Sequence, residues 1–111
     1  MEQWIDVSLL LSFYHPLLTK RQQEMLRYYY EEDLSLSEIA ELCKVSRQGA
    51  HDAIRRGVKQ LMLLEEKLCF RARWVQICEQ LTLCNTLLEN GETQKAQLLV
   101  KTMLEEQQGA L

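Results

Sequence analysis

The chain has 111 residues, 47% of them hydrophobic, and a formal net charge of −3. This length permits one modest core and excludes two independent enzyme domains. Only four Gly and one Pro occur, and Leu, Glu, Gln, Lys and Arg are frequent. These straight side chains lose little rotamer freedom in a helix, so the composition favours an all-α fold.

The sequence predicts neither a membrane span nor a signal peptide. The longest apolar runs, such as Leu61 to Leu64, are far shorter than the ~20 residues that cross a bilayer. The start, MEQWID, lacks a basic segment followed by an apolar one. We therefore expect no membrane insertion and a cytoplasmic location, where the four cysteines stay reduced. No C-x-x-C pair or matching His spacing occurs, so no metal or cofactor is expected.

Two helices are predicted before residue 34. The first has apolar residues at helical spacing and ends near Pro16. Those residues are Trp4, Ile5, Leu9, Leu10 and Phe13. Thr19 and Gln22 form a T-x-x-Q capping box that begins the second helix. Its predicted inner face consists of Met25, Leu26, Tyr29 and Tyr30.

A helix-turn-helix is predicted from residue 35 onward. Ser35 and Glu38 form a second capping box, and the short helix that follows should turn Ile39, Ala40 and Leu42 inward. A bend at Lys44 and Val45 would join it to a longer helix capped by Ser46. The expected core positions of that helix are Ala50, Ile54, Val58, Leu61 and Leu68. Its length suggests that its C-terminal half projects from a four-helix head spanning residues 1–68.

Residues 69–111 predict a C-terminal helical hairpin. A heptad-like apolar stripe runs along its first helix, and the turn after Glu89 contains Asn90 and Gly91, followed by Thr93 as a cap. The stripe would either pack within the chain or pair two chains, and we expect a homodimer. The candidate dimerisation residues are Phe70, Trp74, Ile77, Leu81, Cys84 and Leu88.

Positive charge is concentrated on the long helix. Residues 44–60 carry five basic residues and one acid, or +4, whereas residues 1–43 carry −5. In a helix-turn-helix the second helix enters the major groove, and Arg and Gln near its start can contact base edges. The candidate nucleic-acid-binding residues are Lys44, Ser46, Arg47, Gln48, His51, Asp52, Arg55, Arg56 and Lys59.

Individual roles within this set follow from position. Arg56 and Lys59 lie further along the helix and suit phosphates, and Asp52 is expected either to orient a neighbouring arginine or to face a base amine. Two alternatives are a solvated charged face and a protein-interaction module. No phosphate loop, H-E-x-x-H motif or nucleophile elbow occurs. No catalytic residue is therefore assigned, and the chain is not expected to be an enzyme.

The segment LLTKRQQEMLRYYYEEDLSLSEIAELCKVSRQGAHDAIRRGVKQL resembles the YlxM family of small bacterial proteins, whose helix-turn-helix is similar to region four of sigma factors. The resemblance covers about residues 9–68 and departs at Lys44, where the family has glycine. It implies an accessory or regulator of the signal recognition particle pathway that binds the particle's RNA or its protein subunit. A DNA-binding transcriptional regulator of sigma-region-four type is the alternative.

Overall fold

A computed structural model describes the backbone of residues 2–109 and the side chains of residues 7–109. The predicted core positions Trp4 and Ile5 lie outside the described side chains. Over the described range the chain is all-α, as predicted, with no strand. The elements are α1 (Glu2–Tyr14), a 3-10 turn (His15–Leu17), α2 (Lys20–Tyr30), α3 (Leu36–Cys43), α4 (Arg47–Leu68), α5 (Phe70–Glu89) and α6 (Thr93–Gly109).

The predicted capping boxes are both present. The Thr19 hydroxyl accepts a hydrogen bond from the Gln22 N–H at 3.1 Å, and the Gln22 side chain accepts one from the Thr19 N–H. Ser35 and Glu38 make the same reciprocal pair. Each box satisfies two N–H groups that the first helical turn leaves without partners. Local sequence therefore fixes where α2 and α3 begin.

The chain divides into two compact units, one ending at Arg71 and the other beginning at Ala72. In the first unit, α1, α2 and α3 all pack on α4. Their shared core is built from fully or almost fully buried side chains. It comprises Val7, Leu10, Leu11, Tyr14, Leu18, Met25, Leu26, Ile39, Ala40, Ala50, Ile54 and Leu61.

Two expected core residues are exposed. Leu42 is 60% exposed because the inner stripe of α3 runs through Leu36, Ile39, Ala40 and Cys43, and Leu42 lies about 100° around the helix from its centre. Leu68 occupies the last turn of α4 and is 39% exposed. Helical period identifies a face, but only tertiary packing determines how far along the helix that face is covered.

The C-terminal half of α4 does not project from the head, contrary to the prediction. Leu61 is fully buried, and the hydroxyl of the buried Tyr14 on α1 donates a hydrogen bond to Glu65 Oε1 at 2.6 Å. The N–H of Phe70 donates to the same hydroxyl at 3.0 Å, and the N–H of Arg71 donates to Glu65 Oε1 at 2.9 Å. Burial, followed by the Glu65 hydrogen bond, raises the pKa of Tyr14. Helix α1 therefore holds the end of α4 and the start of α5.

The second unit is a hairpin of the remainder of α5 and α6. The Gly91 N–H donates to the Leu88 carbonyl at 3.1 Å and the Glu92 N–H to the Leu87 carbonyl at 2.8 Å. With Gly91 at φ 74°, this is a Schellman motif. Thr93 is the first residue of α6 rather than its cap. None of the described helices has an apolar stretch long enough to cross a bilayer, and the predicted cytoplasmic location stays a prediction.

Candidate nucleic-acid interface

A tight turn joins α3 to α4 at the predicted bend. Lys44 adopts the left-handed conformation, with φ 56° and ψ 46°. The Val45 N–H donates to the Ala40 carbonyl at 3.0 Å, and the Lys44 N–H to the Glu41 carbonyl at 3.3 Å. These two bonds form a Schellman motif with lysine at the position where glycine is usual. The motif ends α3 abruptly and allows Ser46 to begin α4 after two residues.

A long-range hydrogen bond reinforces this turn. Nη2 of Arg21, near the start of α2, donates to the carbonyl oxygen of Cys43 at 2.6 Å. The cation satisfies a carbonyl that the end of α3 leaves without a helical partner and opposes the negative end of the helix dipole. Sequence reasoning missed this role, because 22 residues separate the two groups and no spacing rule connects them.

The start of α4 orients the candidate binding residues. The Ser46 hydroxyl accepts a hydrogen bond from the Gly49 N–H at 2.9 Å, as an N-cap does. Ala50 and Ile54 are buried in the head, so the opposite face of α4 faces solvent. The exposed candidates are Lys44, Ser46, Arg47, Gln48, His51, Arg55, Arg56 and Lys59. Asp52 is half-buried.

The described side chains do not neutralise the cations on this face. Among the side chains of residues 7–109, no carboxylate forms an ion pair with Arg47, Arg55, Arg56 or Lys59. Segment 44–60 therefore presents its net charge of +4 to solvent rather than to an internal partner. Exposed guanidinium groups keep their hydrogen-bond donors for a ligand, and the planar fork of Arg suits phosphates and guanine edges.

Asp52 orients a different side chain from those expected. Its Oδ1 accepts a hydrogen bond from Gln48 Nε2 at 3.1 Å and lies 3.7 Å from His51 Nδ1. The structure therefore places Asp52 against Gln48 rather than Arg55 or Arg56, and the alternative that Asp52 faces a base amine stays a prediction. Holding the amide nitrogen of Gln48 fixes the direction of its carbonyl oxygen. Neither Arg55 nor Arg56 is paired with a carboxylate among the described side chains.

Comparison with known families agrees with this geometry. A model of the family UPF0122, described as "Putative helix-turn-helix protein, YlxM / p13 like", matches residues 1–103. The chain belongs to the UPF0122 family. A UPF0122 protein of Desulforamulus reducens is 38% identical over 115 aligned residues, covering 97% of this chain and 98% of the relative. The resemblance to the YlxM family is thereby confirmed.

Other relatives match over a shorter stretch. A UPF0122 protein of Clostridium botulinum is 50% identical over 68 residues, or 61% of this chain and 62% of its own length. One of Acetivibrio thermocellus is 47% identical over 76 residues, or 68% of this chain and 65% of its own. The chain thus aligns with less than two thirds of each of these relatives.

In this UPF0122 chain the proposed dimerisation stripe divides into different environments. Phe70 belongs to the first unit and stacks on the Tyr14 ring, with centroids 5.6 Å apart and planes 11° apart. Cys84 is buried inside the hairpin, with its Sγ 4.0 Å from the Ala96 carbonyl oxygen. Ile77 is partly buried. Trp74, Leu81 and Leu88 remain about half exposed. An interface with another chain would therefore use these three side chains rather than Cys84.

Proposed function

We propose that this protein binds nucleic acid through the solvent face of α4. The supporting observation is a set of exposed arginines, none paired with a carboxylate among the described side chains, on a helix that follows a tight helix-turn-helix bend. Arg47, Gln48 and His51 would contact base edges, because the first turns of the second helix enter the major groove. Arg56 and Lys59 would contact phosphates and so position the protein without reading sequence.

Charge distribution argues for selective rather than indiscriminate binding. Segment 44–60 is positive, but the whole chain carries −3, so few phosphates would be neutralised in any complex. The sequence-independent part of affinity grows with the number of neutralised phosphates. Binding would therefore depend on base contacts, on nucleic-acid shape or on a second protein.

A salt titration tests the proposal. Affinity for duplex DNA and for signal recognition particle RNA is measured as a function of salt concentration. The logarithm of the association constant should fall steeply, and Arg56→Ala and Lys59→Ala should each reduce the slope by about 1 for the lost phosphate contact, whereas Arg47→Ala should mainly weaken binding. Arg73→Ala, an exposed arginine of the second unit, is the matched control. A flat, weak response that is identical in all variants would instead favour a protein-interaction module.

We propose that the target lies in the signal recognition particle pathway, where the protein would act as an accessory or regulator. The support is the family resemblance, with the particle's RNA and its protein subunit as the implied partners. Sequence-specific promoter binding, as by sigma region four, is the competing candidate and is supported by the same helix-turn-helix. Tighter binding to the particle RNA than to duplex DNA of equal length would favour the pathway role, and the reverse would favour the regulator.

We also propose that the second unit mediates homodimerisation. Only Cys84 and Ala96 are buried among its described residues, whereas seven large apolar side chains are exposed by 41% to 65%. They are Trp74, Leu81, Leu83, Leu88, Leu98, Val100 and Leu104. A two-helix hairpin with so small a core gains little from its own packing, and heptad-like spacing suits another helix. Light scattering should give a dimer that Leu81→Glu disrupts and Gln76→Glu, an exposed control on the same helix, does not. A wild-type monomer at all concentrations would refute this part.

A further inference from the structure

A small cavity lies beside the proposed binding face of α4. It has a volume of about 200 Å³ and is formed between α2, α3 and α4. Its walls include Tyr29 and Tyr30 at the end of α2, Leu36 at the start of α3, and Val58 on α4. The exposed His51 and Arg55, both on the candidate interface, also line it. The cavity is therefore continuous with the surface proposed to contact nucleic acid.

The lining chemistry is that of a site for an aromatic ring. Tyr29 and Tyr30 are half-buried and packed edge to face, with centroids 5.1 Å apart and planes 84° apart. Leu36 and Val58 add apolar surface. Burial, and then the neighbouring Tyr29, raises the pKa of Tyr30, so its hydroxyl stays protonated. Aromatic side chains together with Arg are the usual platform on which proteins stack unpaired bases.

Size and charge limit what the cavity can hold. It is smaller than the roughly 300–1,000 Å³ of pockets for drug-sized ligands, so it suits one ring system. Three consecutive carboxylates, Glu31, Glu32 and Asp33, follow Tyr30 directly and disfavour a phosphate in their vicinity. An uncharged base has no such conflict, and its own phosphates would remain outside, near Arg55.

We propose that this cavity receives one unpaired base of a structured RNA while the cations of α4 contact phosphates of the adjoining helix, whose deep, narrow major groove does not admit side chains. The inference rests on the proposed function and specifies its target as RNA with a bulged or looped nucleotide. RNA is favoured over duplex DNA because RNA offers bases that are already unpaired, whereas extracting a base from a duplex has an energetic cost.

Two RNA hairpins that differ only in one inserted, unpaired 2-aminopurine provide the test: one is fully paired and the other carries the bulge. The bulged RNA should bind more tightly by about 5- to 150-fold, the contribution of one stacked base, and the probe's fluorescence should change on binding. Val58→Phe and Leu36→Phe fill the cavity from two different helices. Each should abolish the preference while leaving affinity for the paired hairpin unchanged, and urea denaturation verifies folding of both.

The outcomes separate the two proposals. Salt-dependent binding of the paired hairpin without any preference for the bulge would overturn the cavity inference and leave the proposed function standing. Absence of binding to either hairpin and to duplex DNA would overturn both. If both filled-cavity variants still bind the bulged RNA more tightly than the paired one, the base binds elsewhere and the inference is refuted.

Discussion

Gly57 determines how closely α2 approaches the helix that carries the candidate interface. It lies on α4, is buried, and packs against the side chain of Leu26. A Cβ added at Gly57 would lie 2.9 Å from Leu26 Cδ1, 3.3 Å from Cγ and 3.4 Å from Cδ2. Rotating one methyl group cannot relieve all three contacts. Leu26 is fully buried and cannot move into solvent.

Opposing effects determine the stability of Gly57→Ala. Alanine improves helix propensity by up to about 1 kcal/mol, whereas overpacking a filled core costs about 1–3 kcal/mol. We expect a net destabilisation of about 1 kcal/mol. With a urea dependence of about 2 kcal/mol per molar, the unfolding midpoint should fall by about 0.5 M. Circular dichroism at 222 nm measures it, with the slope m expected to stay constant.

A double-mutant cycle isolates the contact. Leu26→Val removes both Cδ atoms, so in that background Gly57→Ala should be neutral or stabilising. The coupling between the two changes should then be at least about 1 kcal/mol. The reasoning is refuted if Gly57→Ala raises the midpoint in the wild-type background, or if its effect is the same in both backgrounds.

Three further predictions concern the turn, the buried tyrosine and a capping box. Lys44→Gly removes the left-handed strain of about 1–2 kcal/mol but adds glycine's unfolded-state entropy of about 0.5–1 kcal/mol, so urea midpoints should rise slightly. Tyr14→Phe leaves the Phe70 N–H without its acceptor and removes one of the donors to Glu65 Oε1, which keeps the Arg71 N–H, so we expect a loss of about 1–3 kcal/mol in the same assay. Hydrogen bonds from the Ser35 N–H, and then its hydroxyl, lower the pKa of Glu38. Its stabilising contribution is therefore present above the unfolded-state pKa and lost as the pH falls through the folded-state pKa. In Glu38→Gln the urea midpoint should therefore fall less than in the wild type as the pH is lowered. The same fall in both proteins would contradict this assignment.

Predictions from the sequence succeeded where the determining interactions are local. The boxes at Thr19 and Ser35 and the cap at Ser46 each join groups three residues apart, and all three were predicted from side-chain chemistry at that spacing. The bend at Lys44 and Val45 followed from the short distance between two such starts. The solvent-facing residues of α4 then followed from helical period once Ala50 and Ile54 were assigned to the core.

Interactions between distant residues could not be predicted in this way. Tyr14 and Glu65 are 51 positions apart, and the roles of both depend on how α1 crosses α4. The error about the projecting half of α4 has this cause, because helix length alone does not reveal a covering helix. The cavity beside Val58 likewise forms from three helices. The sequence predicts Tyr29 and Tyr30 as core residues. Helical spacing cannot distinguish an aromatic side chain that fills a core from one that lines a pocket.

Lys44 connects the stability of the turn with the proposed function. A left-handed lysine persists only because its surroundings hold it, and here the Schellman bonds to Ala40 and Glu41 and the Arg21 bond to Cys43 do so. Glycine would form the same turn with less strain, so the backbone alone does not explain this choice. The lysine adds an exposed cation three residues before Arg47, beside the face proposed to meet nucleic acid. If the Lys44 cation contacts a phosphate, Lys44→Gly should raise the stability of the head and lower its affinity for nucleic acid. A lysine without a binding role would give the gain in stability with no loss of affinity.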